Sequence, residues 1–349
     1  MVGGEQTLGG GAQRLDEAQA GAQGEVAILR QYLRCDVNHE AQLAQAAVFL
    51  LLPGVVVGHS VMVNRRRPER ISFYQPAASG GAMSRAMLSC AVTAAELGGA
   101  IVRGYFRRLA SGQADEKAAH DWVTAADRES EEAIFQFLSR AAPGIGFLGE
   151  ERGGSEGGGE HWVVDPLDGT LNFVRGFPHF AVSVALVCAG RVEVGAIYDP
   201  MRDEMFTAQR GGGAFRNGER LRVSGRSGLA GAFVTTGFPF RIHRHLGAFL
   251  GIFRDVFPVV AGLRRPGAAA LDLAHVAAGI FDAFFEFGLA AWDIAAGALL
   301  VSEAGGVVSN LDGGPEVLAR GNIVAGAPGV HRELLALIQN HCSEAAIGH

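Results

Sequence analysis

A layered α/β fold follows from three features of the chain. Two amphipathic helices come after Met83, a run of short apolar strands follows Pro143, and strand and helix alternate again beyond about residue 226. Helices first, strands next and alternation last point to stacked helix and sheet layers instead of one regular doubly wound sheet. SRAMLSCAVTAAELGGAIVRGYF carries apolar residues at helical spacing, as does RESEEAIFQFLSRAA. Between them, GQADEKAAHDWVTAAD predicts a polar loop or short hairpin ending at a helix start. GFLGEE, HWVVDP, FAVSVALVCAG, RVEVGAIYDP and EMFTAQRGGGAFRNGERLRVS are short apolar runs bounded by Gly, Pro and Asn, which predicts a multistranded sheet with hairpins. Asn217-Gly218 marks a turn between two of these strands. Further on, GAFVTTGF and DAFFEFG predict strands. HRHLGAFLGIFRDVF, AALDLAHVAAGIF and WDIAAGALLVSEAGG predict helices, the last closed by Gly305 and Gly306.

The 349 residues exceed the common single-domain length, so one large or two intimately packed domains are expected. An apolar share of 48% with 19% charged residues fits an ordinary globule with a sizeable core. A net charge of -6 gives no global basic field and argues against a dedicated nucleic-acid binder. A small anionic substrate would then need a local device such as a metal ion. Cys35, Cys90, Cys188 and Cys342 are scattered without a CxxC pair, which fits free thiols in a reducing cytoplasm.

Residues 1–82 differ from the rest: MVGGEQTLGGGAQ and QPAASGGAM are linker-like, and the stretch reads as an atypical extension, disordered or the product of an upstream start site. Its apolar piece AAVFLLLPGVVVGHSVMV is interrupted by Pro53, Gly54 and Gly58 and barely reaches the ~20 residues a bilayer demands. An accessory extension is expected there, with a membrane anchor as the alternative.

Three acidic clusters stand at junctions between apolar strands and turns or helices: Glu150 with Glu151, Asp165 with Asp168, and Asp293 after Trp292. Oxygen-only ligand sets suit hard divalent cations, Mg²⁺ above all, and the lack of Cys or paired His in the clusters argues against zinc. In DPLDGT, Pro166 fixes the backbone so that the chain can turn and bring Asp168 back toward Asp165. Gly169 permits a left-handed or closely approached backbone, and Thr170 can cap the helix that follows. The backbone N–H groups of Gly169 and Thr170 would there form a cradle for phosphate oxygens. An Asx turn with an N-cap and no metal is the plain alternative for DPLDGT alone. Asp127 likewise reads either as an N-cap for RESEEAI or as a site residue. His243 and His245, flanked by arginines, read as a surface basic patch or phosphate-facing loop, and His161 and His179 as structural.

These residues carry a resemblance. GEE, WVVDPLDGTLNFVRGFPHFAVSVAL and AAWDIAAGALLVSEAGG look like the motifs of the inositol monophosphatase family, a group of Mg²⁺-dependent, lithium-sensitive phosphomonoesterases. DWVTAADRESEEAI and GAAALDLAHVAAGIFDAFFEFGLAAWD are supporting matches, in family order from about Met83 onward. The resemblance implies an αβαβα sandwich of the inositol monophosphatase and fructose-1,6-bisphosphatase type, with residues 83–225 as an N-terminal α+β half and 226–349 as a C-terminal α/β half. It implies two or three Mg²⁺ ions: Glu150, Asp165 and the Leu167 carbonyl would hold one, and Asp165, Asp168 and Asp293 a second. Thr170 would orient the attacking water, Asp127 would hydrogen-bond Thr170, and Glu150 would hold or deprotonate that water. Gly169, Thr170, Gly267, Ala269, Glu286 and Asp293 would bind substrate, Glu286 by accepting hydrogen bonds from a polyol's hydroxyls.

The same resemblance implies a homodimer that hydrolyses inositol 1-phosphate; attack by water in line with the ester oxygen would need no covalent intermediate, and no membrane partner is expected. Departures from the animal members touch substrate choice, not the metal set. Leu171 stands where threonine is common, Ala290 and Ala291 where bulkier or polar groups are common, and Lys117 lies four positions before Asp121. Histidinol phosphate, fructose 1,6-bisphosphate and nucleotide 3'-phosphates are rival substrates. A different class of function is a partnership with transcription antitermination and ribosomal RNA maturation, for which Arg241, Arg244, Arg264 and Arg265 offer a surface; solvated charge is the alternative for those arginines.

Overall fold

Small and apolar residues at helical spacing bury one side of α1 (Gly81–Tyr105), where Ala91, Ala94, Ala95 and Val102 are buried. The structure is a computed structural model that describes residues 81–108, 114–118, 121–154, 159–239 and 243–342. The apolar segment 46–63, Cys35, Arg241 and the side chains of Lys117, Asp121 and His243 lie outside what it describes. Helix α1 is also, by length and composition alone, apolar enough to cross a membrane, but its buried residues belong to a core cluster with α2 (Ala125–Ala141) and the first large sheet.

After α1 comes the hairpin β1 (Ala114–Ala118) and β2 (Asp121–Thr124). The chain then builds β3 (Gly146–Gly149), β4 (Gly153–Gly154), β5 (Glu160–Asp168), the short helix α3 (Thr170–Val174), β6 (Ala181–Cys188), β7 (Arg191–Asp199), β8 (Glu204–Gln209), β9 (Gly213–Arg216) and β10 (Glu219–Arg220). These strands, from β3 on, form an eight-stranded sheet in the order β10-β9-β8-β7-β6-β5-β3-β4. Neighbours are antiparallel except β3 and β5. The Asn-Gly turn joins β9 to β10 with positive φ at Asn217 (48°) and Gly218 (83°), as a type I′ turn requires. The strand expected to run on through LRVS stops at Arg220. Leu221 N donates to Ala214 O, but Val223 N already turns away to Ala304 O.

The C-terminal part contains β11 (Phe233–Thr236), α4 (Leu246–Val256), β12 (Gly262–Arg264), α5 (Ala269–Ala277), β13 (Ala283–Glu286), α6 (Ala291–Glu303), β14 (Val307–Ser309), α7 (Val317–Arg320), β15 (Ile323–Gly326) and α8 (Pro328–Gln339). Its strands form a five-stranded sheet, β12-β11-β13-β15-β14, with β11 parallel to both neighbours.

Three apolar clusters glue the layers together. Ile134 and Leu138 of α2 join α1 against Trp162, Val164, Val182 and Val184 on one face of the large sheet. Val163, Ala181, Ala185 and Ile197 face the other way, onto α5 and α6, which in turn pack on Phe284, Ile323 and Ala325 of the second sheet. Phe249 and Ile252 of α4 and Leu334 and Ile338 of α8 cover that sheet's outer face through Val234, Phe285 and Val324. The order is therefore helix, sheet, helix, sheet, helix. It explains why WVV runs apolar without alternation: both faces of β5 are covered, and every residue after Glu160 is buried.

The middle layer sits close. A Cβ on Gly195 of β7 would lie 2.9 Å from the Ala296 Cα of α6, closer than backbone can tolerate. Gly195→Val is expected to lower the free energy of unfolding by about 1–3 kcal/mol through overpacking, read from urea denaturation.

Candidate metal and phosphate site

In a regular strand, residues three apart face opposite sides, so Asp165 and Asp168 would be separated by the sheet itself. The pairing of β5 with β6 removes that obstacle. Asp165 faces Ser183 but Asp168 faces Ala181, so three residue steps on β5 oppose two on β6. The extra residue makes a bulge between Asp165 and Asp168, where Pro166 has no N–H to give to the ladder, and it turns both acids toward one cleft. Leu167 N donates to Asp165 Oδ1 at 2.9 Å, which fixes that carboxylate in the turn.

Asp293 arrives from a different layer. It is the third residue of α6, where its Oδ2 accepts from Ala290 N at 2.7 Å and closes the helix start. Ser183 Oγ donates to Trp292 O at 3.2 Å, so the residue opposite Asp165 on β6 also anchors this helix. Carboxylate oxygens of Asp165, Asp168 and Asp293 all lie within 4.8 Å of one another. Glu150 follows β3 directly, and its N–H donates to Val164 O at 3.2 Å, which sets it beside Asp165.

Asp168 has a second task. Its Oδ2 accepts from Ala270 N at 2.8 Å. Ala270 is in the first turn of α5, whose N-cap Ala268 has no side chain able to accept its free N–H groups. Asp168 thus caps from another layer a helix that starts about a hundred residues later.

Electrostatics follow from this crowding. Burial, with the charges of Glu150, Asp168 and Asp293 added, pushes Asp165 well above the usual carboxylate range. Burial and Asp293 raise Asp168 to about 7, against the lowering effect of its N–H partners. A crowded cluster of oxygen-only donors that repel one another fits a hard divalent cation such as Mg²⁺.

Thr170 Oγ1 lies 2.9 Å from Leu167 O and 3.1 Å from Asp127 Oδ1. Thr170 is the first residue of α3 and not its cap; that place belongs to Gly169, at φ 91°. A Cβ there would meet His179 O at 3.0 Å and Gly267 O at 3.3 Å, so glycine is required on both grounds. Nor is Asp127 the N-cap of α2. Thr124 is, and Asp127 closes the capping box from the third position with Oδ2 on Thr124 N at 2.8 Å. Its other oxygen faces Thr170. Burial, opposed by these hydrogen bonds, raises Asp127 to about 6.

A cleft of about 240 Å³ is lined by Glu150, Asp165, Leu167, Asp168, Gly169 and Thr170 on one side. Gly267, Ala269, Arg265, Phe238, Glu286 and Asp293 complete it. Glu286, at the end of β13, lies over Gly237, where any side chain would collide with its carboxylate. His245, read in sequence as surface, is buried and stacked on Phe287 at 5.3 Å. His161 and His179 are buried as well.

Sequence reasoning passed over two residues here. Asn172 Nδ2 ties α3 to His179 O (2.8 Å) and Pro266 O (2.9 Å), holding the Gly267 loop against the DPLDGT turn. Asp272 is 1% exposed, with His179 Nε2 4.0 Å away, and is raised by burial and by the charges of Glu286 and Asp168. A lone acid inside the buried run AAALDLAHVAA was the signal for it.

Comparison with known proteins adds the following. The model of the inositol monophosphatase family matches residues 83–344. The chain is 51% identical over 261 residues to a Pseudomonas aeruginosa protein named Nus factor SuhB, covering 73% of this chain and 96% of that one. It is 49% identical over 260 residues to a Mesorhizobium japonicum protein named inositol-1-monophosphatase, covering 74% and 98%. A crystal structure of extragenic suppressor protein suhB from Bartonella henselae superposes with a TM-score of 0.68 at 42% identity, covering 73% of this chain and 98% of that one.

The raised acids make a measurable statement about stability. A carboxylate whose folded pKa lies above its unfolded value stabilises the fold below about pH 4 and loses that contribution as pH rises through the folded value, about 7 for Asp168. A cation that replaces the proton should therefore raise the melting temperature more above pH 7 than below it. Differential scanning fluorimetry with and without Mg²⁺ across that range checks this. Asp168→Asn should flatten the dependence.

Proposed function

Because the chain belongs to the inositol monophosphatase family, we propose that it is a Mg²⁺-dependent phosphomonoesterase that hydrolyses inositol 1-phosphate by direct attack of water. The observation that carries this reading is the gathering of Asp165, Asp168 and Asp293 beside Glu150 in one buried cleft. On this reading Glu150, Asp165 and the Leu167 carbonyl hold one ion and Asp165, Asp168 and Asp293 another, two or three in all. When bound, such ions supply positive charge to the phosphate and the leaving oxygen and acidify water. Thr170, oriented by Asp127, aims the water, and Glu150 takes its proton. The N–H groups of Gly169 and Thr170 receive phosphate oxygens, and Glu286 accepts from the alcohol's hydroxyls beside Gly267 and Ala269.

The test is a phosphate-release panel with Mg²⁺ over inositol 1-phosphate, histidinol phosphate, fructose 1,6-bisphosphate and 3'-phosphoadenosine 5'-phosphate, with lithium as inhibitor. Inositol 1-phosphate should give the highest kcat/KM, and Asp293→Asn should lower it by more than about 100-fold, since a direct ligand outweighs the groups that merely orient one. Release from none of them would end the enzyme reading; a different preferred ester would move the substrate within the family.

A second reading is a role with transcription antitermination and ribosomal RNA maturation, favoured by the name Nus factor SuhB carried by several relatives. Complementation of such a function by the hydrolysis-dead Asp293→Asn variant would separate the two. The proposal places the protein in the cytoplasm, which the free thiols of Cys90, Cys188 and Cys342 support. It also includes a homodimer. Leu246, Leu250, Phe253 and Phe257 are exposed at helical spacing on and just beyond α4, an apolar stripe that supports burial against a second copy. Leu250→Glu with Phe257→Glu should shift the protein from dimer to monomer in sedimentation velocity.

A further inference from the structure

We propose that Glu131 is a positioning residue for the metal site, holding from helix α2 the backbone that carries Glu150; the inference rests on the phosphatase reading above. Glu131 is 1% exposed, an unusual place for an acid that lines no cleft. Its two oxygens are spent on consecutive backbone donors: Oε1 accepts from Glu151 N at 2.9 Å and Oε2 from Arg152 N at 2.7 Å. Hydrogen bonds to an ionised acceptor are stronger and more directional than neutral ones, so this pair fixes the peptide that follows Glu150. On the other side, Glu150 N is held by Val164 O, one residue before Asp165. The ligand's main chain is thus clamped from both ends.

Two further observations agree. Gly149 is bare where Glu131 lies, and a Cβ there would run into the Glu131 carboxylate. The side chain of Arg152 also returns to α2, pairing with Glu132 and covering the Phe135 ring at 3.9 Å. Asp127, Ser130 and Glu131 fall at i, i+3 and i+4, one face of the helix. Asp127 holds Thr170, Ser130 Oγ donates to Pro166 O at 3.1 Å, and Glu131 holds the Glu150 turn. One helical face therefore fixes the DPLDGT turn at two points and the Glu150 turn at a third. Orientation of this kind, supplied from behind a metal ligand, governs affinity for the ion more than contact with substrate.

The test uses the full chain. Glu131→Gln keeps the shape but turns an amide N–H₂ toward one of the two backbone donors, and Gly149→Ala displaces the carboxylate without removing its charge. Isothermal titration with Mg²⁺ alone should show its dissociation constant raised about 10- to 100-fold in both variants. The KM for inositol 1-phosphate at saturating Mg²⁺ should stay within about twofold of wild type, a split that general loosening of the fold would not produce. Mg²⁺ binding by both folded variants as tight as wild type overturns the inference and leaves the phosphatase reading standing. A wild-type chain that binds no Mg²⁺ overturns the reading itself and the inference with it. Where Glu131→Gln fails to fold, Gly149→Ala, which retains every polar group, decides alone.

Discussion

Mutual repulsion among buried carboxylates is the constraint to which the other features of this molecule answer. Oxygens of Asp165, Asp168 and Asp293 stand within 4.8 Å of one another, two of the acids buried and the third half-buried, and they come from β5 and from the start of α6. Nothing in the apolar core favours that arrangement. It is held by local devices: a bulge on β5, the first turn of α6, and a first-turn N–H of α5. Each acid offers one oxygen to the scaffold's own donors, so helix starts that would otherwise be left open are closed by the same groups that crowd the cleft.

The layered architecture makes this feasible. The acids converge because β5 is covered on both sides, by α1 and α2 behind and by α5 and α6 in front. Helix α2 reads as a surface helix by composition, yet its inner face works on the site through Asp127, Ser130 and Glu131. Helix α5 contributes the backbone N–H that Asp168 accepts, and its Asp272 lies buried behind the cleft. Support thus reaches the cleft from both adjacent helical layers, which is why residues far apart in the chain answer to one another there.

Much of this was legible in the sequence, and the limits have physical causes. The layered fold, most elements up to Gly306 and the convergence of three acids could be read because apolar period and turn chemistry are local signals; β12 and the elements from Val307 on were not read. The bulge could not, since register is a property of two strands: DPLD alone does not say which residues of β6 it faces. The capping of α5 by Asp168 was hidden for the same reason, although an Ala at the N-cap with no acceptor side chain hinted at an outside partner. Thr124, not the candidate Asp127, caps α2: the helix starts two residues before Asp127, and Thr124 keeps the extended backbone that a cap needs. His245 lies among arginines and reads as polar surface; only the ring of Phe287, more than forty residues away, explains its burial.

The cleft straddles two sheets. The acids of the DPLD turn belong to the eight-stranded sheet, whereas Glu286 ends a strand of the five-stranded one, with α5 and α6 wedged between. The two walls are therefore carried by different sheets. Side chains at the end of β13 and in the 237–239 turn can drift without disturbing the carboxylates opposite, and a repacked second sheet would present a new wall to an unchanged one. On the proposed reading this makes reaction and selectivity separately inheritable: one scaffold can keep its chemistry while the alcohol it accepts is exchanged.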